Sequence, residues 1–181
     1  YRIFIAADDR EIYAYSKDGN LVSGWAAEKT EHPVTLPVQH LRVGTRDYIV
    51  FHDSYRSYIL DRRGSPRVIV REQFAHSRNN SFIPDFTGNH PARLVTTDET
   101  GRVKFIYFDG RVETMDIAGF GKDHFFEYTD LDGNGSKEFV YLDSQKLSVY
   151  NADKGLRFGM DFETEIKHPV FIYEFSRNDR K

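Results

Sequence analysis

The sequence predicts an all-β fold, and three observations carry that prediction. Hydrophobic residues make up 39% of the 181 residues and aromatic residues 15%, a balance that is typical of strands. The apolar runs are short and are separated by Gly, Asp and Asn turns, as in antiparallel hairpins, and no long stretch repeats apolar positions at helical spacing. The third observation is a repeat along the chain, and it defines the fold more closely.

The repeat has a period of about 45 residues, marked by Asp8, Asp53, Asp98 and Asp143. Each Asp closes a short apolar run, and a polar turn, a second run and a Gly-bearing turn follow it. Four strand-length runs fall within each period, and a β-propeller blade is likewise a sheet of four strands. The sequence therefore predicts one β-propeller domain over 1–181, built from four-stranded antiparallel blades.

The blades can be assigned in chain order. Residues 1–27 supply strands two to four of a first blade, and a C-terminal strand at 168–176 supplies its first strand. Complete blades follow at 34–71, 80–118 and 123–162. Pairing between the two ends of the chain would hide exposed sheet edges, which favours a closed four-bladed ring. Half of a seven- or eight-bladed propeller, cut from a longer protein, stays open as the other arrangement.

A candidate metal loop joins the first two strands of the last complete blade. Alternating side chains would project oxygens inward around a tight turn, which Gly133 and Gly135 permit by accepting positive φ. The backbone carbonyl of the fourth ligand residue and the carboxylate of the fifth would complete the site. Calcium prefers such hard oxygen ligands, so the sequence predicts one structural calcium ion. The predicted ligands are Asp130, Asp132, Asn134, Ser136 and Glu138. A metal-free polar turn is the alternative.

The same turn recurs in altered form one period earlier, at 85–93. Asp85, Gly88 and Asn89 are in register with the metal loop, but Thr87 and Arg93 replace carboxylates that calcium would need. We therefore expect the same turn there without a metal.

The metal-loop pattern, an Asp-x-Asp-Gly-Asn-Gly run from Asp130 followed by Glu138, resembles the calcium loop of FG-GAP and VCBS-type propeller repeats. Such repeats occur in integrin-like heads and in many bacterial secreted proteins. Separately, the segment from Ile3 to Trp25 is similar to one quinoprotein-type (PQQ-like) propeller repeat. The resemblance implies a propeller with a structural calcium ion in an extracytoplasmic protein, whether periplasmic, outer-membrane-associated or secreted.

Other polar residues are interpreted structurally. The four periodic Asp residues are expected to accept backbone hydrogen bonds in their turns, although a ring of carboxylates could also attract a cation. The seven His residues fall in no metal-binding or catalytic pattern, so we expect no catalytic residue. Trp25 is expected to pack within its blade rather than to form a sugar-stacking platform.

The second quarter of the chain is rich in arginine. A basic strip could bind an anionic glycan or a phosphate backbone. The interleaved Asp47, Asp53, Asp61 and Glu72 instead favour a solvated, salt-bridged surface. The arginines are Arg42, Arg46, Arg56, Arg62, Arg63, Arg67, Arg71 and Arg78.

These features favour a non-enzymatic, extracytoplasmic binding or scaffold module that presents loops to a protein or glycan partner. The alternative is an accessory portion of a larger quinoprotein-like or glycan-active enzyme, with its catalytic residues outside this chain. A net charge of −3 gives no overall field for nucleic acid, and no apolar run approaches the roughly 18 residues of a membrane span. Cysteine is absent, so no disulfide holds the fold.

Overall fold

The structure is a computed structural model that describes residues 1–173. This part of the chain contains strands and turns but no helix, and its strands form four antiparallel sheets of two, four, four and four strands. The predicted all-β class is confirmed. The absence of helices also means that the described residues contain none long and apolar enough to cross a membrane.

The three complete sheets are simple meanders, because the order of strands in each sheet follows the order along the chain. The second sheet comprises β3 (Gln39–Val43), β4 (Arg46–His52), β5 (Ser57–Leu60) and β6 (Pro66–Val68). The third comprises β7 (Ile83–Asp85), β8 (Arg93–Thr97), β9 (Val103–Tyr107) and β10 (Val112–Met115). The fourth comprises β11 (Phe125–Thr129), β12 (Glu138–Asp143), β13 (Lys146–Tyr150) and β14 (Leu156–Asp161). Each meander lies within one of the three predicted complete blades.

The first sheet is smaller. It contains β1 (Arg2–Ala6) and β2 (Ile12–Ser16), and a single bridge between Tyr15 and Leu21 stands in place of a further strand. No first strand pairs with β1 among the described residues.

The predicted C-terminal strand at 168–176 does not form over 168–173, and 174–176 lie outside the described residues. Pro169 has no N–H to donate to a ladder, and the side chains of Phe171 and Tyr173 are exposed, so no neighbouring strand covers them. Closure of a ring through this segment stays a prediction.

A segment that we call the return segment follows the strands of each sheet and docks on one turn of that sheet. In the complete sheets this is the turn between the second and third strands, and in the first sheet it is the turn between β1 and β2. The backbone N–H of Thr30 donates to Arg10 O at 3.0 Å, and His76 N–H donates to Ser54 O at 2.9 Å. Equivalent bonds join Phe120 to Thr100 at 3.1 Å and Ile166 to Ser144 at 2.9 Å. Because the first sheet shows the same contact, it is one of the repeats despite its missing strand.

The first strands of the complete sheets are neighbours. The Gln39 amide in β3 donates to Phe82 O at 2.9 Å and accepts from Phe82 N–H at 3.1 Å, at the approach to β7. One sheet further on, Asn80 Oδ1 accepts from the N–H of Phe126 in β11 at 2.9 Å. The meanders therefore lie side by side with their inner edges together.

The core lies in layers between successive sheets. On β4, Ile49 and Phe51 pack toward the first sheet, while Tyr48 and Val50 pack toward the third, as the period of two in a strand requires. A third layer joins the third and fourth sheets through residues such as Phe105 and Tyr141. Strands covered on both faces, such as β8 and β12, are buried at nearly every position.

Candidate metal centre

The loop at 130–137 joins β11 to β12 and is organised by Asp130. Its Oδ1 accepts hydrogen bonds from Gly133 N–H at 2.8 Å and Asn134 N–H at 3.1 Å, and its Oδ2 accepts from Gly135 N–H at 2.8 Å. These bonds, the one from Gly135 foremost, hold the pKa of Asp130 below its usual value. Gly133 and Gly135 have φ values of +73° and +88°, which L side chains rarely adopt, so the two glycines are needed for the turn.

Three of the predicted ligands converge. One carboxylate oxygen from each of Asp130, Asp132 and Glu138 lies within 4.8 Å of the others. Glu138 is buried at the start of β12, and its Oε2 accepts from Leu131 N–H at 2.8 Å, whereas Asp132 is exposed. Calcium coordinates oxygens at about 2.3–2.6 Å, so oxygens around one ion lie up to about 5 Å apart. The donor set and its spacing fit calcium.

The other two predicted ligands shape the turn. The Asn134 side-chain oxygen accepts from Ser136 N–H at 2.7 Å, and it keeps a second lone pair for a cation. The coordination predicted for Asn134 and for the Ser136 carbonyl stays a prediction.

A cation from the protein itself also reaches this cluster, and the sequence analysis missed it. Arg157 in β14 places one guanidinium nitrogen 2.8 Å from Asp132 Oδ2 and 3.5 Å from Glu138 Oε1. In a four-stranded meander, the first and third turns lie at the same end of the sheet. The metal loop is the first turn and β14 begins after the third, so the predicted strand order could have indicated this contact.

The altered loop at 85–93 holds its carboxylate differently. Asp85 is fully buried and pairs with two cationic groups, Arg93 Nε at 2.8 Å and Lys137 Nζ at 2.7 Å. The ring nitrogen Nε2 of His90 lies 3.2 Å from the same carboxylate. Arg93 stands at the register position of Glu138, so the sign of the charge at that position is reversed. Lys137 comes from the neighbouring metal loop and connects the two sites.

Two of the periodic Asp residues, Asp53 and Asp143, join repeats together, and Asp53 also accepts backbone hydrogen bonds in its own turn, as expected. Asp53 Oδ1 accepts from Tyr55 N–H and Arg56 N–H within its own turn, both at 2.8 Å, and Oδ2 accepts at 3.0 Å from His32 N–H in the preceding return segment. Asp143 Oδ2 likewise accepts from Gly121 N–H at 2.7 Å.

The other two periodic positions differ from each other. Asp98 is buried and accepts from Thr100 N–H at 3.0 Å and Arg102 N–H at 3.1 Å within its turn. Asp8 is exposed, and the adjacent Asp9 caps that turn instead, accepting from Glu11 N–H at 3.0 Å.

Three histidines are part of the packing. His52 and His76 stack with ring centroids 4.1 Å apart, and His124 Nε2 lies 2.8 Å from Thr97 Oγ1. Burial lowers the pKa of all three, that of His76 to about 2. Trp25 also has a packing role, because its indole N–H donates to Ile12 O at 2.6 Å and its ring lies against Phe4.

No protein-family model matches this chain, and no curated protein matches it. Its class is therefore argued from the repeat architecture and the carboxylate cluster.

Proposed function

We propose that the chain is a non-enzymatic β-propeller module that binds a protein or glycan partner, with one structural calcium ion in the 130–138 loop. The observation that carries the metal proposal is the convergence of Asp130, Asp132 and Glu138 within 4.8 Å. Asn134 and the Ser136 carbonyl would complete the ligand set. The ion would neutralise the carboxylates and tie the loop to the start of β12.

The propeller arrangement is supported by the adjacent first strands, by the layered core and by the return contact common to all four repeats. In a propeller, the turns at the two ends of the blades are free to vary, because the packing lies between the sheets. Binding through such turns needs no catalytic group, and three of the seven histidines, His52, His76 and His124, are buried in packing. A partner surface on the turns is therefore the simplest use of this scaffold.

We place the protein outside the cytoplasm. A calcium site assembled from one exposed loop is expected to bind in the range of extracellular modules, with a Kd of about 10⁻⁴–10⁻³ M. Calcium at the concentrations found outside cells would load such a site.

Thermal unfolding with and without calcium tests the metal proposal. At a calcium concentration one hundred times Kd, a single site stabilises the fold by about 2.7 kcal/mol, which raises Tm by roughly 5–10 °C for a chain of this size. Asp132→Asn should remove most of that rise, since it takes away an exposed ligand. Asp153→Asn is the matched control, because Asp153 caps an exposed turn of the same sheet. An equal calcium response in wild type and Asp132→Asn would refute the site.

A further inference from the structure

The arginine-rich quarter is salt-bridged only in part. Among residues 1–173, only Arg56 and Arg62 of the eight arginines pair with a carboxylate, that of Glu31 and Asp47 respectively. The interleaved acidic residues have other partners. Asp53 and Asp61 accept backbone N–H groups in their own turns, and Glu72 pairs with Lys104. The remaining six arginines form no salt bridge with any of residues 1–173.

Several of these arginines line one cleft of about 1200 Å³ between the first and second sheets. Phe4 of β1 lines one side and His40 of β3 the other. The first strands of the other sheets contact their neighbours, but no such strand belongs to the first sheet among residues 1–173, so none of these residues stands beside β3 here as a first strand. The cationic lining consists of Arg2, Arg46, Arg62, Arg63 and Arg67.

The lining carries an excess of positive charge. Its two carboxylates are already engaged, because Asp47 lies 3.1 Å from His40 Nε2 and 3.4 Å from Arg62, while Asp61 accepts from the N–H groups of Arg63 and Ser65. The pKa of Asp47 is lowered, chiefly by its hydrogen bond with His40, so Asp47 stays ionised. The guanidinium groups of Arg2, Arg46, Arg63 and Arg67 have no carboxylate partner among the described residues. Guanidinium groups gathered without counter-charges repel one another, and a bound anion relieves that repulsion.

An aromatic wall faces the same cleft. Trp25 and Phe4 both line it, with ring centroids 5.3 Å apart, and the indole hydrogen bond to Ile12 fixes the orientation of Trp25. A fixed aromatic face gives an apolar platform at little entropic cost. The cleft thus combines guanidinium groups, which donate pairs of hydrogen bonds, with an aromatic surface on which a sugar ring can stack.

We propose that this arginine cleft binds a short anionic glycan segment, whose carboxylate or sulfate groups contact the guanidinium groups of Arg46 and Arg63. The inference rests on the proposed binding function and names its ligand class. The cleft volume exceeds the roughly 300–1000 Å³ typical of a single small-molecule site, which suits an oligosaccharide.

Fluorescence titration provides the test, because Trp25 is the only tryptophan and lies in the cleft. The probes are hexagalacturonate, a heparin-derived hexasaccharide, neutral maltohexaose and a single-stranded oligothymidylate. We expect at least one anionic glycan to change Trp25 fluorescence saturably, with an affinity that falls as salt is raised. The two anionic sugars distinguish carboxylate from sulfate as the recognised group.

A pair of double variants locates the site. Arg46→Gln with Arg63→Gln should weaken binding at least tenfold, whereas Arg71→Gln with Arg78→Gln changes the net charge equally outside the cleft and should alter binding less than twofold. All four residues are exposed, so thermal melting should show that both variants fold. Equal losses in the two variants, tighter binding of the oligothymidylate, or no binding of either anionic sugar would each overturn the proposal.

The calcium experiment separates this inference from the proposed function. Maltohexaose binding that is insensitive to the arginine changes would keep a glycan-binding module but overturn the cleft as its anion site. Absence of cleft binding with a calcium-dependent Tm would overturn the cleft and leave the calcium proposal standing.

Discussion

The loops at 85–93 and 130–138 occupy the same place in successive repeats but satisfy their acidic residues in opposite ways. In the earlier loop, buried Asp85 is neutralised by the side-chain cations of Arg93 and Lys137. In the later loop, Glu138 stands where Arg93 stands, and three carboxylates converge with Arg157 as their one salt-bridge partner among residues 1–173. Both loops keep a glycine at positive φ, Gly88 and Gly133. Two changes on a common turn, Thr87 for Asp132 and Arg93 for Glu138, thus separate a self-neutralised loop from one suited to a metal ion.

The largest expected effect tests the self-neutralised loop. Arg93→Gln removes the closest guanidinium from a carboxylate that is only 1% exposed, so the free energy of unfolding should fall by about 3 kcal/mol. Adding calcium should not restore the lost free energy of unfolding. Urea unfolding of the wild type and of Arg93→Gln measures the difference.

Arg111→Gln is the control for that experiment, since Arg111 pairs with Glu113 at an exposed turn and should cost less than about 1 kcal/mol. If both substitutions cost the same, Asp85 does not depend on Arg93.

A second prediction separates acid effects in the core from those in the calcium loop. Burial lowers the pKa of His76 to about 2, so the folded state holds this ring neutral while the unfolded state takes up a proton near pH 6.5. The stability that His76 contributes is complete above pH 6.5 and is lost as the pH falls, by about 2 kcal/mol at pH 5. Denaturant unfolding between pH 7.5 and 5 measures the slope.

His76→Gln should reduce that slope by about one proton, and exposed His168 supplies the control His168→Gln. His76 bonds to the turn between β4 and β5, whereas the calcium loop joins β11 to β12 in another sheet. Calcium should therefore leave the pH dependence of the free energy of unfolding unchanged. A slope that His76→Gln leaves intact would show that other groups titrate.

The smallest expected effect concerns Arg157. Its guanidinium lies 2.8 Å from Asp132 and competes with any metal for the carboxylates. Because an exposed ion pair contributes about 0.2–1 kcal/mol, Arg157→Gln should tighten calcium binding by about two- to fivefold. Calcium titration followed by Tm measures the change, and weaker binding would mean that Arg157 supports the site. Arg111→Gln, far along the chain in another repeat, again serves as the control.

The strands were predictable from the sequence because local patterns determine them. In the three complete sheets, short apolar runs between Gly-bearing turns place β3 to β14 within the predicted blades. The strand predicted at 168–176 depended on pairing with the other end of the chain, which no local pattern specifies. Residues 168–173 accordingly carry the right composition without forming a strand.

The site was predictable only in part, for a similar reason. The spacing of Asp130, Asp132 and Glu138 along one loop indicated their convergence, which is a local property. Arg157 and Lys137 act between strands or between sheets, so their contacts depend on which turns share an end of the fold. In the arginine-rich quarter, composition could not predict which acidic residues pair with arginine, because backbone N–H groups already occupy Asp61.

We expect the 130–138 loop to hold one calcium ion and the 85–93 loop to hold none. Equilibrium dialysis with radioactive calcium measures the stoichiometry directly. One ion per chain should bind to the wild type and to Asp85→Asn, and none to Glu138→Gln. No bound calcium in the wild type, or one ion still bound by Glu138→Gln, would contradict this expectation.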